Sequence, residues 1–339
     1  MNRVLVVRLD NAGDVILAGP AVRAVAADDE VTVLCGPAGE AAARLLPGVT
    51  DLIVWEAPWV GFAPPRADLA AISGLMETLD GRGFSAAAVL TSFHQSPLPM
   101  ALLLRLAGIE RIAAVSVDYP GSLLDHRLPY VDDLHEVEQA LTVTAALGYA
   151  PPEDDRLSLL VPAAAPESPL PGYVVVHPGA SVPARALPQS LANETIDRLV
   201  DEGRRVVVTG TEVERQMSAI SVASPQVEDL RGLTSFEHLV AIIAAADAIV
   251  VGNTGPAHIA AATGTPVVSI FAPVVPAHRW QPWKVPLALL GDQRIECAGC
   301  RARTCPLSDQ TCVAEITATQ VVKAVDHLAP VTHPARRPA

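Results

Sequence analysis

Short apolar runs alternate with helix-like stretches along this chain, and the alternation occurs twice, on either side of a proline-rich segment. The predicted strands of the first half are residues 4–9, 31–35, 52–55, 86–90 and 111–115. Those of the second half are residues 173–176, 205–208, 227–230, 248–251 and 266–271. Strands that alternate with helices are typical of βαβ units and a parallel sheet. The sequence therefore predicts two α/β domains.

The proline-rich segment marks the predicted domain boundary. Residues 150–172 contain six prolines and little periodicity, which is typical of a semi-rigid connector. We expect one domain over residues 1–160, a second over 161–328 and a disordered tail over 329–339. Ligands of open α/β sheets bind at the carboxyl ends of the strands, so we expect one site, in a cleft between the two domains.

Charge and hydropathy exclude several classes of protein. The net charge of −13 argues against an extended nucleic-acid surface and against broad docking on an anionic membrane. The most apolar stretch, residues 239–251, is broken by Asp247 and is too short to span a bilayer, and no signal peptide is visible. We expect a cytoplasmic protein without a transmembrane segment. Peripheral contact with a membrane stays open.

The first predicted strand leads into the turn Asp10-Asn11-Ala12-Gly13-Asp14. A dinucleotide fingerprint needs several glycines here, and this turn has one, so NAD binding is disfavoured. A carboxylate at such a turn, Asp14, can accept a proton from a substrate hydroxyl. The alternative is that Asp14 only caps the next helix, since an acidic residue is common at that position. Position alone does not separate the two interpretations.

Three clusters of small and polar residues follow predicted strands of the second half. They are His177-Pro178-Gly179-Ala180-Ser181 with Arg185, Thr209-Gly210-Thr211 with Glu214, and Asn253-Thr254-Gly255-Pro256-Ala257-His258. Pro256 predicts the start of a helix, and the free backbone N–H groups at a helix start suit a diphosphate. Arg185 can neutralise phosphate charge. The alternatives are an ordinary strand–turn–helix connection and a solvated arginine. Glu214 can cap its helix or reach a sugar hydroxyl.

Four of the five cysteines are crowded into one short segment, with the spacing Cys297-x2-Cys300-x4-Cys305-x6-Cys312. Close spacing in a cytoplasmic protein suggests a structural zinc or iron–sulfur site, although reduced structural thiols are the alternative. The fifth, Cys35, lies in an apolar run and is predicted to be a buried small hydrophobe.

Taken in order, these motifs resemble glycosyltransferase family 9, the ADP-heptose-dependent heptosyltransferases of bacterial surface polysaccharides. The resemblance rests on the 8–14 segment with Pro20, on 177–181, on Thr209, Gly210 and Glu214, and on a segment near residue 254. In that last segment the matching residues are Thr254, Gly255, His258, Ala261, Gly264 and Pro266. A cysteine-bearing tail is also common in the family.

The resemblance implies a GT-B fold, an inverting mechanism and no catalytic metal, and the chain has no Asp-x-Asp motif to hold one. It implies transfer of a heptose or related sugar from an NDP-sugar, ADP-heptose first, to a glycan or small-molecule acceptor, as in lipopolysaccharide biosynthesis. Asp14 becomes the base for the acceptor hydroxyl. Donor contacts fall to Gly13, His177, Gly179, Ser181, Arg185, Thr209, Gly210, Glu214, Asn253, Thr254, Gly255 and His258.

Three departures from the family pattern affect the donor pocket. Asn253 stands where the family has Asp, Arg185 replaces a lysine, and Leu187 replaces a tryptophan. Two other functions stay open on the same scaffold: a sugar-nucleotide epimerase or hydrolase, and a non-catalytic nucleotide-sugar-binding protein. The first would need further acid/base residues, and Asn253 is the main argument for the second.

Overall fold

The computed structural model describes residues 1–163, 172–217, 220, 224–307 and 310–330. The chain divides into two compact units, Met1–Leu160 and Val161–Ala339. The proline-rich segment and the predicted tail lie partly outside the described residues, which exclude 164–171 and 331–339. Within the described part of the chain, no helix is long and apolar enough to cross a membrane.

The first unit is a parallel sheet with helices. Its strands are β1 Arg3–Arg8, β2 Glu30–Cys35, β3 Val49–Val54, β4 Phe84–Val89, β5 Ile112–Val115 and β6 His126–Leu128. Its helices are α1 Ala12–Leu17, α2 Gly19–Ala26, α3 Glu40–Arg44, α4 Leu69–Leu79, α5 Leu98–Leu106 and α6 Glu136–Ala146, with a 3-10 turn at Pro37–Gly39. All its described strand pairs are parallel, in the order β3-β2-β1-β4-β5-β6.

The second unit repeats this architecture. Its strands are β7 Tyr173–His177, β8 Arg205–Val208, β9 Val227–Asp229, β10 Ala248–Gly252, β11 Val267–Ile270 and β12 Leu287–Leu290. Its helices are α7 Gln189–Asp201, α8 Glu212–Met217, α9 Phe236–Ala244, α10 Gly255–Thr263, α11 Ala277–Trp280, α12 Thr311–Ala314 and α13 Ala318–Leu328, with a 3-10 turn at Pro183–Arg185. The strands are again parallel, in the order β12-β11-β10-β7-β8-β9.

Both sheets have the strand order of a dinucleotide-binding fold, counted from the first strand of each unit. The central strands are valine-rich, and β7 and β10 are buried at every position, because helices cover both faces of a parallel sheet. The predicted fold class, two α/β halves with parallel sheets, is confirmed.

Strand order also fixes where ligands are expected. It reverses between β1 and β4 in the first unit and between β7 and β10 in the second. Loops leave the two central strands in opposite directions at such a switch point and open a crevice at the strands' carboxyl ends.

The helical segment after β1 contains a proline, Pro20. The chain forms two helices, α1 and α2, that meet at Ala18, and Pro20 stands in the first turn of the second. Proline has no N–H to donate and is tolerated only in the first turn of a helix, so a new helix begins before it.

Candidate functional site

The switch point of the first unit is built around Arg8, the last residue of β1. Its side chain is 4% exposed, and its Nε lies 2.9 Å from Asp10 Oδ2. Its Nη2 lies 3.1 Å from Asp14 Oδ1 and 3.6 Å from Glu136 Oε2. The same Nη2 donates a 2.8 Å hydrogen bond to Ser92 Oγ, in the loop after β4. One buried cation therefore collects three carboxylates.

These charges act on the arginine itself. Burial alone would lower the pKa of Arg8, but Asp10, Asp14 and Glu136 together raise it above its ordinary value. Arg8 is therefore cationic near neutral pH. Asp14 stands in the first turn of α1 and is the most exposed of the three carboxylates, at 23%. Gly13, beside it, is buried.

The second unit has a histidine at the end of β7. His177 is buried, and its Nδ1 lies 2.9 Å from Thr209 Oγ1, directly after β8. Burial lowers the pKa of His177 to about 4, although the nearby Glu214 carboxylate acts in the opposite direction. The ring is neutral near pH 7 and available for hydrogen bonding rather than for charge pairing.

Glu214 connects the two loops that follow β7 and β8. Its Oε2 accepts a 2.6 Å hydrogen bond from Thr211 N, and its own N–H donates to Thr211 Oγ1 at 3.2 Å. This reciprocal pair caps α8, which was one of the two roles left open by the sequence. A Cβ on Gly179 would lie 1.9 Å from Glu214 Oε1, and one on Gly210 2.8 Å from Oε2. A side chain at either position would displace the Glu214 carboxylate, which occupies that space.

Arg185 ends the 3-10 turn and packs against the end of β10. A Cβ on Gly252 would lie 2.2 Å from the carbonyl oxygen of Arg185, so only glycine lets the two backbones approach this closely. The turn is also held from its other side. Ala184 N donates to Arg303 O at 2.9 Å, and Gln310 Nε2 donates to Ala184 O at 2.7 Å. The position of Arg185 thus depends on two other segments of the chain.

The segment after β10 begins the nine-residue helix α10 at Gly255, with Thr254 as its N-cap and Pro256 in its first turn. Asn253 is 4% exposed, and its Nδ2 has no hydrogen-bond partner among the described residues. A buried amide without a partner is costly and frequently marks a place where a ligand completes the structure. His258 is also buried within α10.

The structure therefore brings together His177, Gly179, Thr209, Gly210 and Glu214, and separately joins Arg185 to the start of the Asn253 segment. Ser181 is exposed in its loop. The sequence analysis missed Glu136, Ser92 and Arg231. Arg231 is buried, pairs with Asp229 Oδ2 at 2.8 Å and packs against Gly210. Ser92 and Arg231 could have been found from the sequence, because each is a polar residue shortly after a strand. No comparable sequence signal points to Glu136.

The four clustered cysteines are free thiols. All four line one small cavity beside Ala184 and Val274, and Cys297 and Cys300 are exposed. Burial raises the pKa of Cys312, as do the neighbouring thiols. Outside the undescribed residues, such as 308–309, no three Cys, His, Asp or Glu side chains form a group that could hold a metal ion. The predicted zinc or iron–sulfur site thus finds no ligand group in the described structure.

Comparison with known proteins begins with a family match. The family described as glycosyltransferase family 9 (heptosyltransferase) matches residues 84–310, about two thirds of the chain. A curated relative, lipopolysaccharide heptosyltransferase 3 of Escherichia coli, is 29% identical over 168 residues. That match spans 47% of this chain and 47% of the relative, so the similarity covers about half the length of each.

Solved structures share the fold over nearly the whole chain. The E. coli ADP-heptose LPS heptosyltransferase II matches with a TM-score of 0.74 at 20% identity, over 97% of this chain and 98% of that one. The E. coli heptosyltransferase WaaC with ADP matches with a TM-score of 0.73 at 17% identity, over 96% and 99%. At these identities the matches establish a common fold.

Proposed function

Because the chain belongs to glycosyltransferase family 9, we propose that it transfers a heptose or related sugar from a nucleotide diphosphate donor, ADP-heptose first, to a glycan or small-molecule acceptor. The observation that carries the proposal is the different chemistry at the two switch points. Carboxylates lie together at the switch point of the first unit, where one of them can act as a proton acceptor. Glycines, a helix N-terminus and an arginine lie at the switch point of the second unit, where they suit the binding of a diphosphate.

In the proposed reaction, Asp14 accepts the proton of the acceptor hydroxyl while the hydroxyl oxygen attacks the anomeric carbon of the donor. The bond between that carbon and the diphosphate oxygen breaks in the same step, and its electrons leave with the nucleoside diphosphate. Attack opposite the leaving group inverts the configuration at that carbon.

The negative charge that develops on the diphosphate needs stabilisation. Arg185 and the N–H groups at the start of α10 supply positive potential there, which is the kind of electrostatic stabilisation that dominates many enzymes. Asn253 Nδ2 supplies a further donor. With these groups in place we propose that transfer needs no bound divalent cation.

The remaining donor contacts belong to the cluster around Glu214. We propose that His177, Gly179, Ser181, Thr209 and Gly210 surround the donor nucleotide and that Glu214 contacts its ribose. Gly13, Thr254, Gly255 and His258 are the further proposed donor contacts. Gly179 supports this assignment, because a residue without a side chain lets a ligand approach the backbone of its loop closely.

The test incubates the full-length protein with ADP-heptose or another NDP-sugar, with and without candidate acceptors, and follows release of NDP chromatographically. We expect release that requires an acceptor, an inverted linkage in the product, and an unchanged initial rate in EDTA. Release without acceptor would instead identify a hydrolase, and an altered sugar without release an epimerase. Saturable binding without any turnover would identify a binding protein. Loss of activity in EDTA that Mg²⁺ restores would contradict the metal-independent step.

A further inference from the structure

Glu136 is a buried acid that the proposed reaction does not use. It is the first residue of α6, its side chain is 2% exposed, and it lies 122 positions after Asp14 in the sequence. A carboxylate is rarely buried this completely unless a cation compensates it. Here the cation is Arg8, at 3.6 Å, the same guanidinium that contacts Asp14.

The guanidinium is shared unevenly. Its Nη2 faces both Asp14 and Glu136, while its Nε faces Asp10. Three carboxylates and one cation leave an excess of negative charge when all are ionised. Solvent reaches Asp14 at 23% exposure, against 10% for Asp10 and 2% for Glu136. Asp14 is thus the member of the group that a substrate can reach most easily.

Other polar side chains contact this group or lie beside it. Ser92 Oγ accepts a hydrogen bond from Arg8 Nη2, and the Gln95 side chain donates to Asp10 Oδ1. On α6, His135 Nδ1 accepts from Val137 N as the N-cap, and Glu138 accepts from the N–H of His135. These contacts help to fix the group in place.

A guanidinium beside a general base has two opposing effects. It holds the carboxylate in one orientation, but it also stabilises the ionised form and makes that carboxylate a weaker proton acceptor. A second carboxylate on the same guanidinium offsets the weakening and leaves the orientation intact. Glu136 is placed to do this without meeting the substrate.

We propose that Glu136 is a positioning residue that acts through Arg8 to orient Asp14 and to keep it sufficiently basic to accept the acceptor's proton. This inference rests on the proposed function of Asp14. It assigns a role in the chemical step to a residue on α6, which contributes no motif residue of the site.

The decisive substitution is Glu136→Gln, which removes the charge and keeps the shape. Without that charge, Arg8 stabilises the Asp14 carboxylate more strongly. We expect the acidic limb of the kcat–pH profile to move to lower pH by about half a unit to one unit. We expect kcat on its plateau to fall by roughly threefold to tenfold, because a weaker base transfers the proton less readily. The KM for the donor should not change. A profile that superposes on that of the wild type would overturn the proposal.

A matched control separates this effect from a general loss of stability. Asp125 also pairs with an arginine of the first unit, Arg105, and accepts a hydrogen bond from Ile112 N, at the amino end of β5. The amino ends of the strands lie on the opposite side of the sheet from the carboxyl end of β1. Asp125→Asn should lower the melting temperature and leave the pH profile in place. A shift of the profile in both variants would contradict a specific role of Glu136.

A second measurement does not depend on turnover. The carboxyl carbon of Asp14 can be labelled with ¹³C, and its NMR signal is assigned as the one that Asp14→Asn lacks. The signal is then titrated in the wild type, in Glu136→Gln and in Glu136→Asp. Glu136→Asp keeps the negative charge and serves as the second variant if Glu136→Gln does not fold. The Asp14 midpoint should fall in Glu136→Gln and move by a smaller amount in Glu136→Asp. Equal midpoints in all folded proteins would refute the coupling even where transfer is observed. A shifted midpoint without any transfer would refute the proposed function alone.

Discussion

Asp14 is held by a buried cation and is still the most exposed carboxylate of its group, and these two facts determine how its mutants should behave. In Asp14→Asn the side-chain volume is retained, and Arg8 keeps Asp10 and Glu136 as partners. We therefore expect a normally folded protein. Transfer should fall by about 10²–10⁴-fold, because the proton acceptor is lost. Initial rates, with circular dichroism as the folding check, measure this. A rate close to that of the wild type would exclude Asp14 as the base.

His177 gives the second unit a dependence on pH that can be measured. Burial lowers the pKa of His177 to about 4 in the folded protein, from an ordinary value of 6.5. Above pH 6.5 the His177 ring is neutral in both the folded and the unfolded protein. Between 6.5 and about 4 the unfolded chain binds a proton that the folded one does not, so stability falls as the pH falls.

The test compares the wild type with His177→Gln, which keeps a polar group near Thr209 Oγ1. The free energy of unfolding of the wild type, relative to that of the variant, should fall by up to about 1.4 kcal/mol per pH unit across this window. Denaturant titrations at a series of pH values supply the difference, in which the other titrating groups cancel. Parallel curves for the two proteins would show that His177 titrates normally.

Asn253 stands where the family pattern has an acid, and its buried Nδ2 has no hydrogen-bond partner among the described residues. In Asn253→Asp, burial should hold the pKa of the new carboxyl above its ordinary value of about 3.9. As the pH rises through that pKa, the charged form repels the diphosphate. ADP binding measured by calorimetry should weaken by roughly tenfold between pH 5 and pH 8. Unchanged affinity at pH 8 would mean that Asn253 supports the turn and does not meet the nucleotide.

The sequence identified the residues that follow strands because chain position alone places them at the carboxyl edge of a sheet. Asp14, His177, Thr209 and Asn253 were proposed in this way, and the structure places each of them at the end of a strand or in the segment that follows it. The contact between Arg8 and Glu136 could not be found, because nothing local to either residue says which distant side chain will approach it. Sequence also could not separate the two roles of Glu214. Its hydrogen bonds with Thr211 show that it caps α8, and its contact with the ribose stays a prediction.

At the scale of elements, the end of β10 fixes the 3-10 turn that carries Arg185. The substitution Gly252→Ala would place a methyl group 2.2 Å from the Arg185 carbonyl oxygen, so one of the two backbones must move. We expect a destabilisation of about 1–3 kcal/mol and weaker binding of ADP. Thermal melts and calorimetry measure the two effects.

Gly74→Ala is the matched control for that substitution. Gly74 lies inside α4, and a Cβ there would meet no atom within 4 Å. The change should stabilise the helix by up to about 1 kcal/mol and leave nucleotide binding unchanged. If Gly252→Ala bound ADP as tightly as this control does, the Arg185 turn would not form part of the donor site.

Some elements were predictable and others were not, for physical reasons. The valine-rich strands β1, β7 and β10 were found, because a strand buried on both faces is apolar throughout. No strand was predicted at β6 or β12, which are short and lie at sheet edges with no fully buried position. Such strands carry little of the apolar pattern on which sequence prediction depends.

At the scale of the whole molecule, the two sheets have the same order of strands, which the sequence could not reveal. The alternation of strands and helices predicted a parallel sheet in each half, but the order depends on pairing between distant segments. The residues proposed to bind the donor nevertheless separate cleanly. Except for Gly13, all of them belong to the second unit.

The second unit should therefore bind nucleotide by itself. It has its own six-stranded parallel sheet, with β7 and β10 fully buried at the centre, so the chain from residue 161 onward contains a complete core. Once circular dichroism has established that it folds, calorimetry should detect saturable binding of ADP. Residues 1–160 should bind none, because the carboxylates around Arg8 repel a diphosphate. Binding by residues 1–160 alone would reverse the assignment of donor and acceptor units. Binding by neither would contradict the assignment of the donor site to the second unit alone.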